Sequence, residues 1–313
     1  MSSRPTIVDV AEEAGVAVGT ASNALSGKGR VSGATRTRVS KAAEKLKYVP
    51  HRGASGLPTG RTMSIGLRFG YDAMIPGGDF FIEMLDAASE AAERAGYGLL
   101  VRRGGGRQVN LVDAHIVVDP TEADALDESR DGVPVVTIGR NRTDDVPWVD
   151  VDHRVAITTL LRYLGRVAGA GPAWFVSLPQ HPVFVDELEA AFEEWVHADG
   201  RDSEVIRGPD AATEVVSLIQ AKLVEVGKPA LIVTALDRQA VGVQSALSAA
   251  RISVPVGSAS DGNALAVIWP PVSAMALDGA EHGRTAVRML LDWIRTGEVP
   301  LSKQLPARLR SRS

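Results

Sequence analysis

The sequence predicts two folds in one chain: a small all-α head and a larger α/β body built on open, mostly parallel sheets. Three observations lead there. Residues 6–46 carry two short amphipathic segments separated by a tight turn, then a third helical segment. From Met63 onward, short apolar runs alternate with stretches of helical periodicity, the pattern of βα units feeding parallel sheets. The charge is split as well: residues 1–62 hold ten Lys/Arg against four acids, a surplus of +6, while the remainder carries −10. A basic head on an acidic body points to a polyanionic partner confined to the head.

Composition narrows the function classes. At 313 residues with 45% apolar content, the chain suits two or three domains with sizeable cores. It has no cysteine, which excludes disulfides and thiolate-ligated zinc or iron–sulfur sites. The N-terminus shows no apolar leader segment, and no uncharged apolar run reaches the roughly 18 residues of a membrane span, so a cytoplasmic protein without membrane contact is expected. His51, His115, His153, His181, His197 and His282 are scattered without metal-ligand spacing, and no G-x-S-x-G turn occurs. An enzyme is not expected, nor is a cofactor.

In the head, Thr6 precedes Ile7-Val8-Asp9-Val10-Ala11, an N-cap with an acid in the first turn, where the helix dipole favours negative charge. Ile7, Val10, Ala11 and Ala14 share one face, and Gly15 supplies the left-handed residue that ends the helix. Val18–Leu25 forms a second helix that buries Ala21 and Leu25 and exposes Val18, Gly19, Ser22 and Asn23. A third runs from about Ala34 to Leu46, with Val39, Ala42, Ala43 and Leu46 inward and Arg36, Arg38, Lys41 and Lys45 on its other sides.

These residues closely resemble the LacI/GalR family of bacterial transcription repressors, whose pattern is T-I-x-D-V-A-x-x-A-G-V-S-x-x-T-V-S-x-x-L-N. Thr6, Ile7, Asp9, Val10, Ala11, Ala14, Gly15, Val16, Thr20, Ser22 and Leu25 match it, and Val31-Ser32, Thr35-Arg36, Val39, Ala42-Ala43, Leu46, Tyr48 and Pro50 continue the match. The resemblance implies a helix-turn-helix whose second helix enters the major groove. Val18, Gly19 and Asn23 would then face base edges, with Thr6, Thr20, Ser22, Arg30 and Thr35 near the phosphate backbone. Asn23 stands where the family commonly has arginine. Asparagine bonds adenine bidentately whereas arginine favours guanine, so an A·T pair is expected beneath it.

Residues 51–62 read HRGASGLPTGRT and join head to body. The resemblance implies a hinge that folds on the operator and wedges a leucine pair into the minor groove. Ala54 and Leu57 match that hinge, while Ser55 replaces its arginine and His51 its asparagine. Gly53 and Gly56 each cost about 1 kcal/mol relative to alanine in a helix. Either the hinge helix forms weakly on DNA, or the segment is a plain linker.

The body alternates strand and helix throughout. The first series expects strands at 64–69, 98–102, 114–118, 133–138 and 148–151 with helices at 80–95 and 156–164. The second expects strands at 173–177, 204–206, 230–234 and 256–259 with helices at 185–199, 211–226 and 238–250. A segment at 273–276, a helix at 280–295 and a polar tail close the chain. Ile65-Gly66-Leu67, Ala95-Gly96-Tyr97, Val133-Pro134-Val135-Val136, Val151-Asp152, Val254-Pro255 and Pro270-Pro271 resemble the same family's body, a two-lobed, periplasmic-binding-protein-like effector domain. That implies a head at 1–50, a hinge at 51–62 and a body at 63–313, with one lobe from 63–150 and 276–303 and the other from 151–275. It also implies a homodimer through the first lobe and helix 80–95, and a sugar-like or other small-molecule effector in the interlobe cleft.

Arg140, Asp237 and Asp261 are the candidate effector contacts. Other family positions have changed: Gly139 replaces an acid, Leu236 an asparagine and Gly279 an aromatic, and Asp186, Glu187 and Leu188 occupy a region that usually holds an arginine. Asp237 also fits a helix N-cap, and Asp261 a turn residue. Unpaired buried polar groups are costly, so a site that loses its hydrogen-bond partners cannot keep the same ligand. Either the effector differs chemically or the chain regulates without one. The sequence thus predicts a DNA-binding transcriptional regulator, a repressor acting on a pseudo-palindromic operator as a homodimer. The alternatives are an effector-independent regulator or an architectural DNA-binding protein.

Overall fold

The computed structural model describes residues 5–26, 30–46, 48, 61–70, 78–102, 112–120, 132–142, 145–209 and 211–312. It divides into two compact units, Met1–Met63 and Ser64–Ser313. Ala54 and Leu57 of the expected hinge lie outside the described residues.

Three helices form the head: α1 (Ile7–Ala14), α2 (Val18–Ser26) and α3 (Gly33–Lys45). Thr6 caps α1 reciprocally. Its N–H and Oγ1 donate to Asp9 Oδ2 at 2.6 and 2.8 Å, and the Asp9 N–H donates back to Thr6 Oγ1 at 3.4 Å. Gly15, with φ 60°, ends the helix as the sequence requires. Ser32 caps α3 by accepting the Thr35 N–H at 3.2 Å. The head core is small and alanine-rich: Val10, Ala11, Ala14, Ala21, Ala24, Val39, Ala42 and Ala43 are buried, with Leu25, Leu46 and Tyr48 packed against them. A Lys45–Glu13 ion pair of 2.8 Å joins α3 to α1.

The body holds two six-stranded sheets. The first contains β1 (Ser64–Phe69), β2 (Gly98–Arg102), β3 (Ala114–Val118), β4 (Val135–Ile138), β5 (Trp148–Val151) and β11 (Lys303–Leu305), in the order β11-β5-β4-β3-β1-β2. Every pairing in it is parallel. The second contains β6 (Ala173–Ser177), β7 (Ser203–Arg207), β8 (Leu231–Thr234), β9 (Val256–Ser258), β10 (Ser273–Ala276) and β12 (Arg308–Arg310), ordered β12-β10-β9-β8-β6-β7. Only β12 runs antiparallel there, against β10.

Helices α4 (Asp79–Arg94) and α10 (Gly279–Thr296) pack on each other in the first lobe. Their approach is close: a Cβ at Gly279 would stand 2.3 Å from Phe80 O, and one at Gly283 2.2 Å from Met84 O. In the second lobe, α5 (His153–Ala168) and α6 (Val183–Asp199) cover one sheet face around Phe175 and Phe192, stacked 5.4 Å apart. On the other face lie α7 (Ala212–Val226) and α8 (Asp237–Ala250), with Val215, Ile219, Val243 and Leu247 buried. The short α9 (Asn263–Val267) precedes β10.

Three expectations need correcting. The expected polar tail instead supplies β11 and β12, one to each sheet, because Leu305 is buried and Ala307 and Leu309 pack on the second-lobe core. The chain therefore crosses between the lobes a third time, so the first lobe extends past 303 and the second lobe regains 308–310. Helix α5 begins at His153 rather than Ala156, since the Asp152 side chain accepts the Val155 N–H at 2.9 Å and caps it. Asp237 is the first residue inside α8 and Leu236 its N-cap, so the Asp237 carboxylate accepts backbone N–H groups of the first turn, including that of Arg238, from inside the helix rather than from the cap position.

Candidate functional site

On the head, α2 turns Ala21 and Ala24 inward and presents Val18, Gly19, Ser22 and Asn23 on its exposed side. Val18 is 44% exposed on this side. Thr20 is half-buried and Arg30 exposed. Thr35 Oγ1 lies 2.8 Å from Ser32 Oγ at the start of α3, while the Thr6 hydroxyl is held by Asp9. The Asp9 carboxyl is held low chiefly by the Thr6 backbone N–H, so it stays ionised at the N-terminus of α1. Exposed Arg36, Arg38 and Lys41 add positive charge along α3.

In the body, a cleft of about 750 Å³ including its open mouth lies between the two sheets. Phe80 and Phe81 enter it from the start of α4, Ile138 and Gly139 from the end of β4, and Phe184 and Leu188 from α6. Leu236 and Leu277 complete an apolar wall, and Asp119, Asp150, Asp237 and Asp261 set carboxylates into it. Phe80 meets Phe81 edge-on at 5.3 Å and the His282 ring at 5.0 Å.

The changed positions have local explanations. Gly279 carries no aromatic ring because α10 sits against the Phe80 backbone there, and Phe80 and Phe81 supply aromatic surface instead. Gly139 carries no acid because Asp119 reaches across from the neighbouring strand. Asp119 Oδ1 stands 2.7 Å from where a Gly139 Cβ would be, and Gly139 adopts φ 94°, which favours glycine. Leu188 and Leu236 replace polar groups with apolar wall.

The three residues singled out by sequence separate here. Asp237 and Asp261 both line the cleft. Asp237 is buried; its N–H donates to Ser260 Oγ at 2.9 Å, and burial, aided by Asp79, pushes its carboxyl up despite Arg238. Asp261 is bound to Arg310 at 2.9 Å and Arg312 at 2.8 Å, tying the loop after β9 to the chain end. Arg140 is not among the lining residues. Its guanidinium lies 4.9 Å over the Trp148 ring and 3.1 Å from Glu187 Oε1, so it joins the first lobe to α6. Arg142 pairs with Asp186 beside it. Across the cleft, Asp79 on α4 accepts the Asn263 N–H, a further bond between lobes.

Sequence reasoning missed the buried electrostatic centre. His153 Nε2 lies 2.9 Å from Asp150 Oδ1, and the Val151 N–H donates to the same oxygen at 2.7 Å. Although burial opposes its ionisation, Asp150 is held below the usual carboxylate range by His153 and these bonds, and His153 is held above its own, again against burial, by Asp150. Asp119, with φ 46°, has no such relief: burial, then the charge of Asp150, pushes its carboxyl up to about 7. His282 is held low by burial; its Nδ1 donates to the Asp278 carbonyl at 2.6 Å, which leaves Nε2 as an acceptor.

A trihelical head with an exposed second helix, and a two-lobed α/β body around a cleft, define a helix-turn-helix unit joined to a periplasmic-binding-protein-like domain. Comparison with known proteins agrees. Residues 6–51 match the model of bacterial regulatory proteins of the lacI family, and residues 168–313 match the periplasmic binding protein-like domain. The head thus matches the lacI-family DNA-binding unit and the second half of the chain the periplasmic binding protein-like domain, and the relatives found are LacI/GalR family regulators.

Among curated relatives, it is 36% identical over 184 residues to the maltose regulon regulatory protein MalI of Escherichia coli (strain K12), a match covering 54% of this chain and 53% of that one. The chain thus spans about half the length of that relative. It is 23% identical to catabolite control protein A of Priestia megaterium across 98% of both chains. Its fold resembles the lac repressor dimer bound to operator and the anti-inducer ONPF, with a TM-score of 0.85, 21% identity and coverage of 99% and 98%. It also resembles the transcriptional regulator CelR–cellobiose complex, with a TM-score of 0.70, 24% identity and 99% coverage of each chain. No helix among the described residues is long and apolar enough to cross a membrane.

Proposed function

We propose that this chain is a sequence-specific DNA-binding transcriptional regulator, a repressor that binds a pseudo-palindromic operator as a homodimer. The observation that carries this is the exposed face of α2, Val18-Gly19 with Ser22-Asn23, on a head whose caps and core follow the family pattern. Two heads related by two-fold symmetry would read two half-sites. Val18 and Gly19 offer methyl and backbone surface only, so base discrimination falls chiefly on Asn23 and on DNA shape. Thr6, Thr20, Ser22, Arg30 and Thr35 serve the phosphate backbone, and Ala54 and Leu57 the minor groove. Exposed Ile82, Leu100 and Val101, on α4 and its neighbour β2, suit the dimer contact.

A lac repressor dimer has been crystallised on its operator with an anti-inducer, and CelR with cellobiose. By the same logic the interlobe cleft here takes a small effector, with Asp237 and Asp261 among its contacts. Arg140 then acts indirectly, by bonding the lobes together. A ligand that prefers one degree of lobe closure shifts the population of DNA-competent dimers.

Selection of bound sites from random duplex DNA with the full chain tests the reading. The expected outcome is a two-fold-related motif with A·T beneath Asn23. A fixed G·C at that position would refute the assigned role of Asn23, and the lack of any enriched motif would refute sequence-specific binding altogether.

A further inference from the structure

The cleft's charges do not balance evenly, and the imbalance identifies a ligand class. Asp150 is matched by His153, Asp261 by Arg310 and Arg312, and Asp237 has Arg238 beside it. Asp119 is the exception: its carboxylate accepts no hydrogen bond from any described residue, and its nearest cationic influence is His153, already held by Asp150. An anion in a confined apolar setting without a partner is costly. Among the polar groups lining the cleft are four carboxylates and the His282 Nε2 as acceptors; His153 and Arg238 are the cations, set against Asp150 and Asp237, and Ser260 adds a hydroxyl. On α6, Leu188 faces the cleft and Glu187 is turned to Arg140, so that helix offers an anionic ligand no cation. Phe80, Phe81 and Phe184 present ring surface to the same space, suited both to an apolar body and to cation–π contact.

We propose that the effector is an organic cation, with a protonated amine seated on Asp119 and a ring or short apolar chain against Phe80, Phe81 and Phe184. This rests on the reading of the cleft as an effector site. Asp119 belongs to the first lobe and Phe184 and Leu188 to the second, so such a ligand spans both and couples its binding to lobe closure. The ammonium supplies the missing counter-charge, and Asp119 ionises fully as it binds.

The experiment is calorimetry and thermal shift on the full chain, with a panel of primary amines matched to their alcohols and carboxylates on the same skeleton. Aralkyl sets such as benzylamine, benzyl alcohol and benzoate, and sugar sets such as glucosamine and glucose, separate the two sources of amine. The amine should bind at least tenfold tighter than its alcohol, and the carboxylate should not bind. Asp119→Asn should remove the amine's advantage and leave the alcohol unchanged. Asparagine tolerates the left-handed conformation at this position, so the backbone need not move. Independently of any variant, amine binding at pH 6 should release close to one proton, and far less at pH 8.5, as read from buffers of different ionisation enthalpy.

Alcohols or carboxylates that bind as well as amines, or amine binding without proton release at pH 6, overturn the proposal. If those neutral or anionic ligands also shift DNA affinity, the effector site stands and only its cation preference falls. Silence from every member of the panel, with DNA binding intact, overturns the effector reading itself.

Discussion

Asp119→Asn should make the stability of the unliganded body less sensitive to alkaline pH. Burial, then the charge of Asp150, pushes the native carboxyl up from its ordinary 3.8 to about 7. The unfolded chain therefore gives up this proton earlier than the folded one as pH rises. A group raised in this way contributes stability that is intact below its unfolded pKa and is lost as pH climbs through the folded one. At roughly 1.4 kcal/mol per pKa unit, the full gap is on the order of 4 kcal/mol, and about 2–3 kcal/mol of it falls between pH 5 and pH 8. His153 is present in both proteins, and because Asp119 helps to hold its pKa up, the difference reports Asp119 together with its coupling to His153. Urea unfolding of the body at intervals from pH 5 to pH 8, followed by tryptophan fluorescence, measures the effect. The variant should gain on the wild type steadily with pH. Parallel stability curves would show that Asp119 is well solvated or already paired, and the reasoning about the cleft would fail.

Other perturbations probe the frame around that site. Gly283→Ala places a methyl 2.2 Å from the Met84 carbonyl oxygen at the α4–α10 contact, so the helices must part; a loss of about 1–3 kcal/mol in body stability is expected, and an unchanged midpoint would contradict the packing. Arg140→Ala leaves half-buried Glu187, whose carboxyl burial already pushes up against the pull of Arg140, without its partner. The loss should be roughly 1–3 kcal/mol at pH 8 and smaller at pH 5, where Glu187 can protonate, and chemical denaturation at the two pH values reads it. Leu57→Ala should weaken binding to a selected operator far more than binding to random DNA, as fluorescence anisotropy at one salt concentration would show; equal losses would argue against a minor-groove wedge.

Much of the molecule was legible because its determinants are local. The Thr6–Asp9 cap, the left-handed Gly15 and the apolar stripe of α1 are all set within a few residues, and they appear where the sequence places them. The strand–helix alternation likewise fixes the parallel sheets. The cleft was only partly legible. Asp237 and Asp261, which both line the cleft, were found through the resemblance to the family's effector body. Asp119 was not, since its role depends on Gly139 in the adjacent strand, a relation set by β3–β4 register rather than by chain neighbours. The glycine at 139 was itself the available signal: an acid missing from one strand end invites a search of the next. Arg140 was expected in the cleft because Trp148 and Glu187, which draw it away, lie 8 and 47 residues further along the chain. The closing strands β11 and β12 are three residues each, too short for alternation to reveal.

The central claim, that this chain reads a defined DNA sequence through α2, is tested most directly by one ratio. The affinity of the full chain for its best selected duplex should be measured against a scrambled duplex of equal length at a single salt concentration near physiological. A regulator should favour the selected site by about 10³-fold or more, with the preference falling when the base pair under Asn23 is changed. A ratio near one, with both affinities dropping together as salt rises, would mark a binder of the phosphate backbone alone and contradict the account.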